Sequence, residues 1–577
     1  MNEFGLGISA NPSGSGFPQS ALVVTPTSLR GIPQPLRLLV VAFLLVIPGC
    51  AFAQGGACPA NWNSIDPNGT TVGVASYAGI KTCYYASKSI GSDTQYDGTQ
   101  ETVSGSHGPF AHIPGMSGCT GNCANVTPAA GEGFIMRGGD TWSGADLGVY
   151  WGWSGTGKSS QIYIGVDPNW FNSSTCGSSW CRPAWNFSGI NANAFLADGA
   201  SKYWWFDNVE IKALCNSENG VYVQGATNIR ASQLYFHGWT HCTNSNNVGF
   251  FSQGGSGSMA DHNVMDGSDS SKNTFNAFYS YWSSIQYNVI KYVVSGLIGS
   301  SDVVHDNFLS NTVTSADGDH CNGFFTFAPL SGNSQLIYNN VVDMGTGCPG
   351  GVQMWFNGNS GTNSSWVGYG FGNVIYNTSG GNLINVGNHG SGNYGTYYVF
   401  NNTVDCSNGG CGGTLPTGPY FTIYDQNNQV IGGSYLALEP PSGGTILACN
   451  DGSGSGCTDL SQGATTAAGQ GYTSTSPAPY MPPSSCTSST CLTLQAGTNL
   501  NSAACAGLSS INSDAYAACL KGSTGGPAYN QASHTISGPN VTPASRPSGK
   551  WDIGAYQAGS SSGPPAVTTL TGNLVTN

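Results

Sequence analysis

Charge is what this chain lacks. Only 7% of its 577 residues are Asp, Glu, Lys or Arg, and no Lys or Arg occurs between Lys291 and Lys521. A nucleic-acid groove needs clustered cations, so that class of partner is excluded, and a strongly anionic polysaccharide is disfavoured for the same reason. No stretch beyond the N-terminal segment carries apolar residues at helical spacing, so helix should be scarce. No CxxC pair with histidines at zinc spacing is present, which argues against a structural zinc site. Low charge with 85 Gly would suit a disordered chain, but 14 Trp, 27 Tyr and 23 Phe supply a large core.

What is present is repetition. An asparagine stands before a short β-branched or apolar run at Asn208, Asn228, Asn263, Asn288, Asn307, Asn340, Asn373 and Asn402, with gaps of 20, 35, 25, 19, 33, 33 and 29 residues. A loose period of this size marks stacked supersecondary units, each unable to bury its apolar face alone. Asparagines recurring at one place can bond their neighbours above and below as a ladder. The expectation is an all-β fold, a right-handed parallel β-helix built from one chain. The alternative is that Asn merely marks turns in an ordinary all-β domain.

Residues 1–53 read as a signal peptide. Leu38–Pro48 is an apolar run too short to span a bilayer comfortably, preceded by Arg30 and Arg37 and followed by the small-x-small site Ala51-Phe52-Ala53. Lipidation at Cys50 is the weaker alternative, because Pro48 fits a lipobox poorly. Without this segment the formal charge goes from −13 to about −14 and 18 of the 19 cysteines remain. They fall into close neighbours: Cys119 with Cys123, Cys176 with Cys181, Cys406 with Cys411, Cys449 with Cys457, Cys486 with Cys491, and Cys505 with Cys519. Longer candidates are Cys58 with Cys83, Cys215 with Cys242, and Cys321 with Cys348. This pattern predicts local disulfides and a secreted, periplasmic or cell-surface location, with no membrane span and a monomeric chain.

Composition divides the remainder into an N-terminal capping region (54–130) with strands at 71–77 and 82–87, a solenoid core (131–440), C-terminal coils and cap (441–557) and a tail (558–577). Two stretches carry a family resemblance. Gly91-Ser92-Asp93, Asp97-Gly98-Thr99 and Gly108-Pro109-Phe110-Ala111-His112-Ile113-Pro114-Gly115-Met116 resemble the opening of secreted bacterial β-helix proteins of the pectin-lyase-like superfamily. Arg546-Pro547-Ser548-Gly549-Lys550-Trp551-Asp552-Ile553-Gly554-Ala555-Tyr556 looks like the ending of many of them. The resemblance covers roughly residues 80–557 and implies the β-helix architecture and a role on polysaccharide, as lyase or glycoside hydrolase. The glycosidase family of this fold follows its clustered aspartates with Gly-His-Gly and Arg-x-Lys segments, and this chain has neither. No pectate-lyase motif surrounds its few basic residues.

The densest polar segment is Ser315-Ala316-Asp317-Gly318-Asp319-His320-Cys321. On an extended strand Asp317 and Asp319 share a face. Such a pair can serve as acid and base in glycoside cleavage with His320 orienting, can hold Ca²⁺ with nearby carbonyls, or can form a polar turn between coils. No cofactor is otherwise required. Asp261 and Asp306, each beside a histidine and just before a repeat asparagine, are expected to align on one face as the alternative catalytic pair. Trp204, Trp205, Tyr281, Trp282 and Trp355 belong to aromatic clusters too dense for one inward face, so outward rings there are expected to stack on sugars. The functional expectation is a protein that binds a neutral or weakly charged polysaccharide or cell-surface glycan and cleaves it, hydrolase before lyase. The alternative is a non-catalytic, adhesin-like solenoid.

Overall fold

Strand residues separated by tight left-handed turns wind this chain into stacked coils. The structure, a computed structural model, describes residues 55–215, 219–240, 247–270, 274–316, 321–327, 334–345, 354–357, 367–377, 384–387, 395–405, 421–431, 445–448, 458–459, 480–483 and 485–562. Strands of successive coils pair in parallel within an 18-stranded and a 13-stranded sheet. A coil has three strand segments. In the coil around Asn288, the strand Phe275–Gln286 turns a corner part-way, so its first half lies in one row and its second half in another. Tyr287 and Asn288 form the next corner, and Val289–Lys291 supplies the third row. The parallel β-helix expected from the repeat is therefore present, and among the described residues no helix is long and apolar enough to cross a membrane.

The asparagine ladder holds the second corner. The backbone N–H and side-chain Nδ2 of Asn263 both donate to Oδ1 of Asn288, which bonds Asn307 in the same way, then Asn340, Asn373, Asn402 and Asn428, at 2.8–3.1 Å throughout. These side chains are fully buried, where unpaired amides would be costly. The residue before each is left-handed: His262, Tyr287, Asp306, Asn339, Gly372, Asn401 and Asn427 have φ between 52° and 67°. Only Gly372 adopts this without a Cβ penalty. The corner itself requires this conformation, since Gln233 adopts it (φ 55°) before Leu234, where no asparagine follows.

Two of the eight expected positions are not on the ladder. Asn208 stands one residue early, in the left-handed slot (φ 64°), with Val209 where an asparagine would be. Asn228 is the second residue of the strand Thr227–Ser232, and in its coil the ladder slot belongs to Leu234, whose N–H donates to Asn263 Oδ1 at 2.9 Å. The rungs thus start at Asn263, and the last, Asn428, carries no signal beyond the doubled Asn427-Asn428.

Alternate residues of all three rows point inward and stack on their equivalents, as Phe250 does on Phe278 at 4.8 Å. The outer face of the second row is covered at both ends. Over its first coils lie the hairpin of Asn63–Ile65 and Thr71–Gly73 and the short helix Val74–Ala78, which replaces the strand expected to Tyr77. Trp62, Val74, Ala78 and Ile80 pack there on Tyr163 and Trp205. Over its last coils, Leu500, Leu508 and Ala515 pack on Tyr338, Tyr369, Phe371 and Phe400. The chain then runs back along the solenoid, bonding Asp306 through Thr524 and Asp266 through Gln531.

Both family-like end motifs are structural. Asp93 Oδ1 accepts the N–H groups of Ala111 and His112 at 2.8 and 3.1 Å, while Oδ2 meets His112 Nδ1 at 2.5 Å. Asp552 Oδ1 accepts from Gln495 N–H at 2.7 Å, and its Oδ2 from Gln557 Nε2 at 2.8 Å.

Disulfides join Cys58–Cys83, Cys119–Cys123, Cys176–Cys181, Cys486–Cys491 and Cys505–Cys519, as the spacings predict. Cys215 and Cys321 are also disulfide-bonded, and their expected partners Cys242 and Cys348 lie outside the described residues. Four cysteines expected to pair locally lie outside the described residues: Cys406, Cys411, Cys449 and Cys457. The structure therefore places neither the bond expected between Cys406 and Cys411 nor the one expected between Cys449 and Cys457. Residues 1–53, expected to be a signal peptide, also lie outside the described residues.

Candidate functional site

Four of the five expected binding aromatics are interior. Trp204, Trp205, Tyr281 and Trp282 are at most 1% exposed. Trp204 points into the core against Phe195. Trp205 does point outward, but the N-terminal cap covers it and the Arg230 guanidinium lies 4.4 Å from its ring centre. Simple alternation fails for Tyr281 and Trp282 because the strand turns at Ser280 (φ 66°), which brings both side chains under cover. Tyr281 then donates its hydroxyl to Asp302 at 2.7 Å.

A different set of rings faces solvent, on the first row. Register places Tyr150, Leu196, Tyr222, Phe251, Tyr279 and Ile298 in one line, each beside the next across adjacent coils. The same line continues to register positions Phe325 and Trp355, so Trp355 alone of the five expected residues falls in this row. Tyr150 is 53% and Tyr279 39% exposed, and Leu196, Tyr222, Phe251 and Ile298 are half-buried. The rings of Tyr222, Phe251 and Tyr279 follow one another at 4.9 and 5.6 Å. Polar groups border them: Tyr222 donates to Gln253 Oε1 at 2.8 Å, beside exposed Gln224, and Tyr150 donates to Asp198 at 2.5 Å. The Asp198 contact raises the Tyr150 hydroxyl above its ordinary pKa and burial raises that of Tyr222, so both remain donors at neutral pH.

The carboxylates do not form the expected strip. Asp261 pairs in register with Gln286 and, one coil on, His305, whereas Asp306 shares its slot with His262 and Tyr287. The two aspartates are offset by one residue, which on a strand reverses the facing. Asp261 is fully buried, takes two hydrogen bonds from Arg230 and lies 3.0 Å from His262 Nδ1. With the Arg230 charge beside it, its carboxyl is held below the usual range despite burial. A carboxylate so occupied cannot reach substrate.

Asp306 is different. Its Oδ2 meets His305 Nδ1 at 2.6 Å, the Thr524 hydroxyl donates to Oδ1, and His305 Nε2 lies 2.9 Å from Gln286 Oε1. The His305 ring stacks on Tyr338 with centres 4.6 Å apart. This chain of contacts forms the floor of a cleft of about 510 Å³ between the two caps. Asp317, Asp319 and His320, the first choice for chemistry and for Ca²⁺, lie outside the described residues. The strand that follows them, Phe324–Phe327, belongs to the row that carries the exposed aromatic line. Among the described residues no group of three or more metal-ligating side chains converges.

Neither a family model nor a curated protein matches the sequence. Solved structures similar to it include a rhamnogalacturonan lyase, at 14% identity over 60% of this chain and 87% of that one, with a TM-score of 0.41. A pectate lyase is similar at 14% identity over 60% and 80%, TM-score 0.39. A lacto-N-biosidase from Eubacterium ramulus is similar at 13% identity over 60% and 64%, TM-score 0.34. At these values the likeness is one of chain path, and the β-helix is established by the strand register itself.

Proposed function

We propose that this is a secreted protein that binds a neutral or weakly charged polysaccharide along the first-row line Tyr150–Leu196–Tyr222–Phe251–Tyr279. The observation that carries this reading is an apolar, largely aromatic row left open to solvent across five adjacent coils. At about 4.8 Å per coil the row is roughly 20 Å long, enough for several sugars. Exposed aromatic rows of this extent mark interaction surfaces, and rings offer C–H contact to pyranose faces while Gln224, Gln253 and Asp198 offer bonds to hydroxyls. The flanks carry amides and one carboxylate rather than cations, which suits a polymer of little charge. Five local disulfides fit an oxidising compartment.

A second reading adds hydrolysis by Asp317 and Asp319 with His320. It is favoured by the connection of that segment to the strand that extends the aromatic row. A polysaccharide panel separates the readings. Affinity electrophoresis reports binding, new reducing ends report hydrolysis, and ultraviolet absorbance of unsaturated products reports lyase action. Retardation without products supports the adhesin-like form, whereas no retardation by any polymer contradicts the proposal.

A further inference from the structure

The cleft between the two caps lies on another side of the coil from the aromatic row, and its chemistry is that of a small-ligand site. Its volume of about 510 Å³ falls within the range of small-molecule pockets. Tyr287 and Tyr338 belong to its wall, and neither hydroxyl has a protein hydrogen-bond partner among the described residues. Tyr338 is only 2% exposed. Neither hydroxyl is among the fully buried polar atoms that lack a partner, so both open onto the cleft, where a ligand hydroxyl can take the place of water. The rings are fixed, Tyr338 between His305 and Phe371, and Tyr287 against His262. The Asp306 charge raises the Tyr287 hydroxyl, and burial followed by Asp306 raises that of Tyr338, so both stay protonated and can donate as well as accept.

Charge narrows the class of ligand. Asp514 and Lys521 both belong to the cleft wall, and Asp306 below them is already engaged by His305 and Thr524. With Asp306 engaged, the Asp514 carboxylate and the Lys521 ammonium leave the wall about balanced in charge, so it favours a ligand of neither sign. Met259, Ala517 and Pro543 add short apolar patches to the polar groups. We propose that this cleft is a separate binding site for a neutral sugar one or two residues long, whose hydroxyls complete the bonds of Tyr287 and Tyr338. The site does not depend on the aromatic row being a polymer track.

The test is calorimetric titration of the protein with glucose, galactose, mannose, N-acetylglucosamine, cellobiose and lactose, with glucuronate and glucosamine as charged probes. Tyr338→Phe and Tyr287→Phe keep the stacked rings and remove only the hydroxyls, and circular dichroism checks that both variants fold. One or more neutral sugars should bind with single-site stoichiometry, weaken about tenfold in each Phe variant and remain unchanged in Tyr279→Ala. Absence of binding by every neutral probe, preference for a charged probe, or affinity unaffected by both Phe variants overturns the proposal. Sugar binding lost only in Tyr279→Ala also overturns it, while leaving the polymer track standing.

Discussion

Arg230 and Asp261, 31 residues apart in sequence and adjacent in the stack, form a two-bonded ion pair at 2.8 and 2.7 Å with the carboxylate wholly buried. The same guanidinium donates to the Ile65 carbonyl at 2.9 Å, so the pair also ties the N-terminal hairpin to the second row. Removing one partner leaves an uncompensated buried charge. Asp261→Ala should therefore cost about 3–5 kcal/mol in chemical denaturation, while polysaccharide binding below the melting transition stays intact. A stable variant with lost binding would restore Asp261 to a functional role.

The ladder makes a second stability prediction. Asn307 Nδ2 donates to Asn340 Oδ1 and to the Ile285 and His305 carbonyls, and its own Oδ1 receives both donors of Asn288. Asn307→Ala leaves those buried groups unmatched, and at about 1–3 kcal/mol for each unsatisfied group a loss of several kcal/mol is expected. Val209→Ala, in the equivalent slot of a coil without an asparagine, should lose only its packing, about 1–2 kcal/mol. Equal losses at the two sites would contradict the ladder's energetic role.

Asp425 supplies a pH signature. It takes the inward register position next to Val399, is fully buried, and burial pushes its carboxyl up to about 7 despite a bond from Asn428. Because the folded value lies above the unfolded value of about 4, the folded chain keeps its proton through an interval in which the unfolded chain has released it. Stability should fall as pH rises from about 4 to about 7 and then level, by no more than about 4 kcal/mol. Asp425→Asn should flatten this slope and raise the melting temperature at pH 8. An unchanged slope in thermal melts would show that Asp425 titrates normally.

The hydrolytic reading predicts that Asp319→Asn abolishes release of reducing ends and leaves polymer retardation intact. Loss of folding instead would assign the segment a structural or Ca²⁺ role, and unaltered product release would remove Asp319 from the chemistry.

The β-helix was legible because its strongest determinant is local: an asparagine followed by an apolar run marks the same corner in coil after coil, and six of the eight expected asparagines are rungs. Asn208 misled because a left-handed slot also favours Asn, so the residue type alone does not separate the slot from the rung beside it. The exposed aromatic row was not legible from the repeat, because the corner between the first two strands varies in length. Phe251 stands 12 residues before its rung Asn263, Tyr279 stands 9 before Asn288, and register position Trp355 stands 18 before Asn373. No fixed period connects them. The row does carry one faint mark, a small residue and an inward apolar residue just before each member. Examples are Gly148-Val149-Tyr150, Ala194-Phe195-Leu196, Gly220-Val221-Tyr222, Gly249-Phe250-Phe251 and Ala277-Phe278-Tyr279. Trp204 takes the inward position, whereas the burial of outward Trp205 was not legible because the cap over it comes from residues more than a hundred positions away, which no local alternation reveals.

The most direct measurement is affinity electrophoresis of the protein against neutral polysaccharides, comparing wild type with Phe251→Ala and Tyr279→Ala, using circular dichroism to confirm folding. Loss of one ring contact worth about 0.5–1.5 kcal/mol should weaken retardation by about twofold to tenfold in each single variant, and the double variant should migrate as in a polymer-free gel. Wild-type retardation preserved in the double variant, or no retardation of the wild type by any neutral polymer, would contradict the assignment of this row as the glycan track.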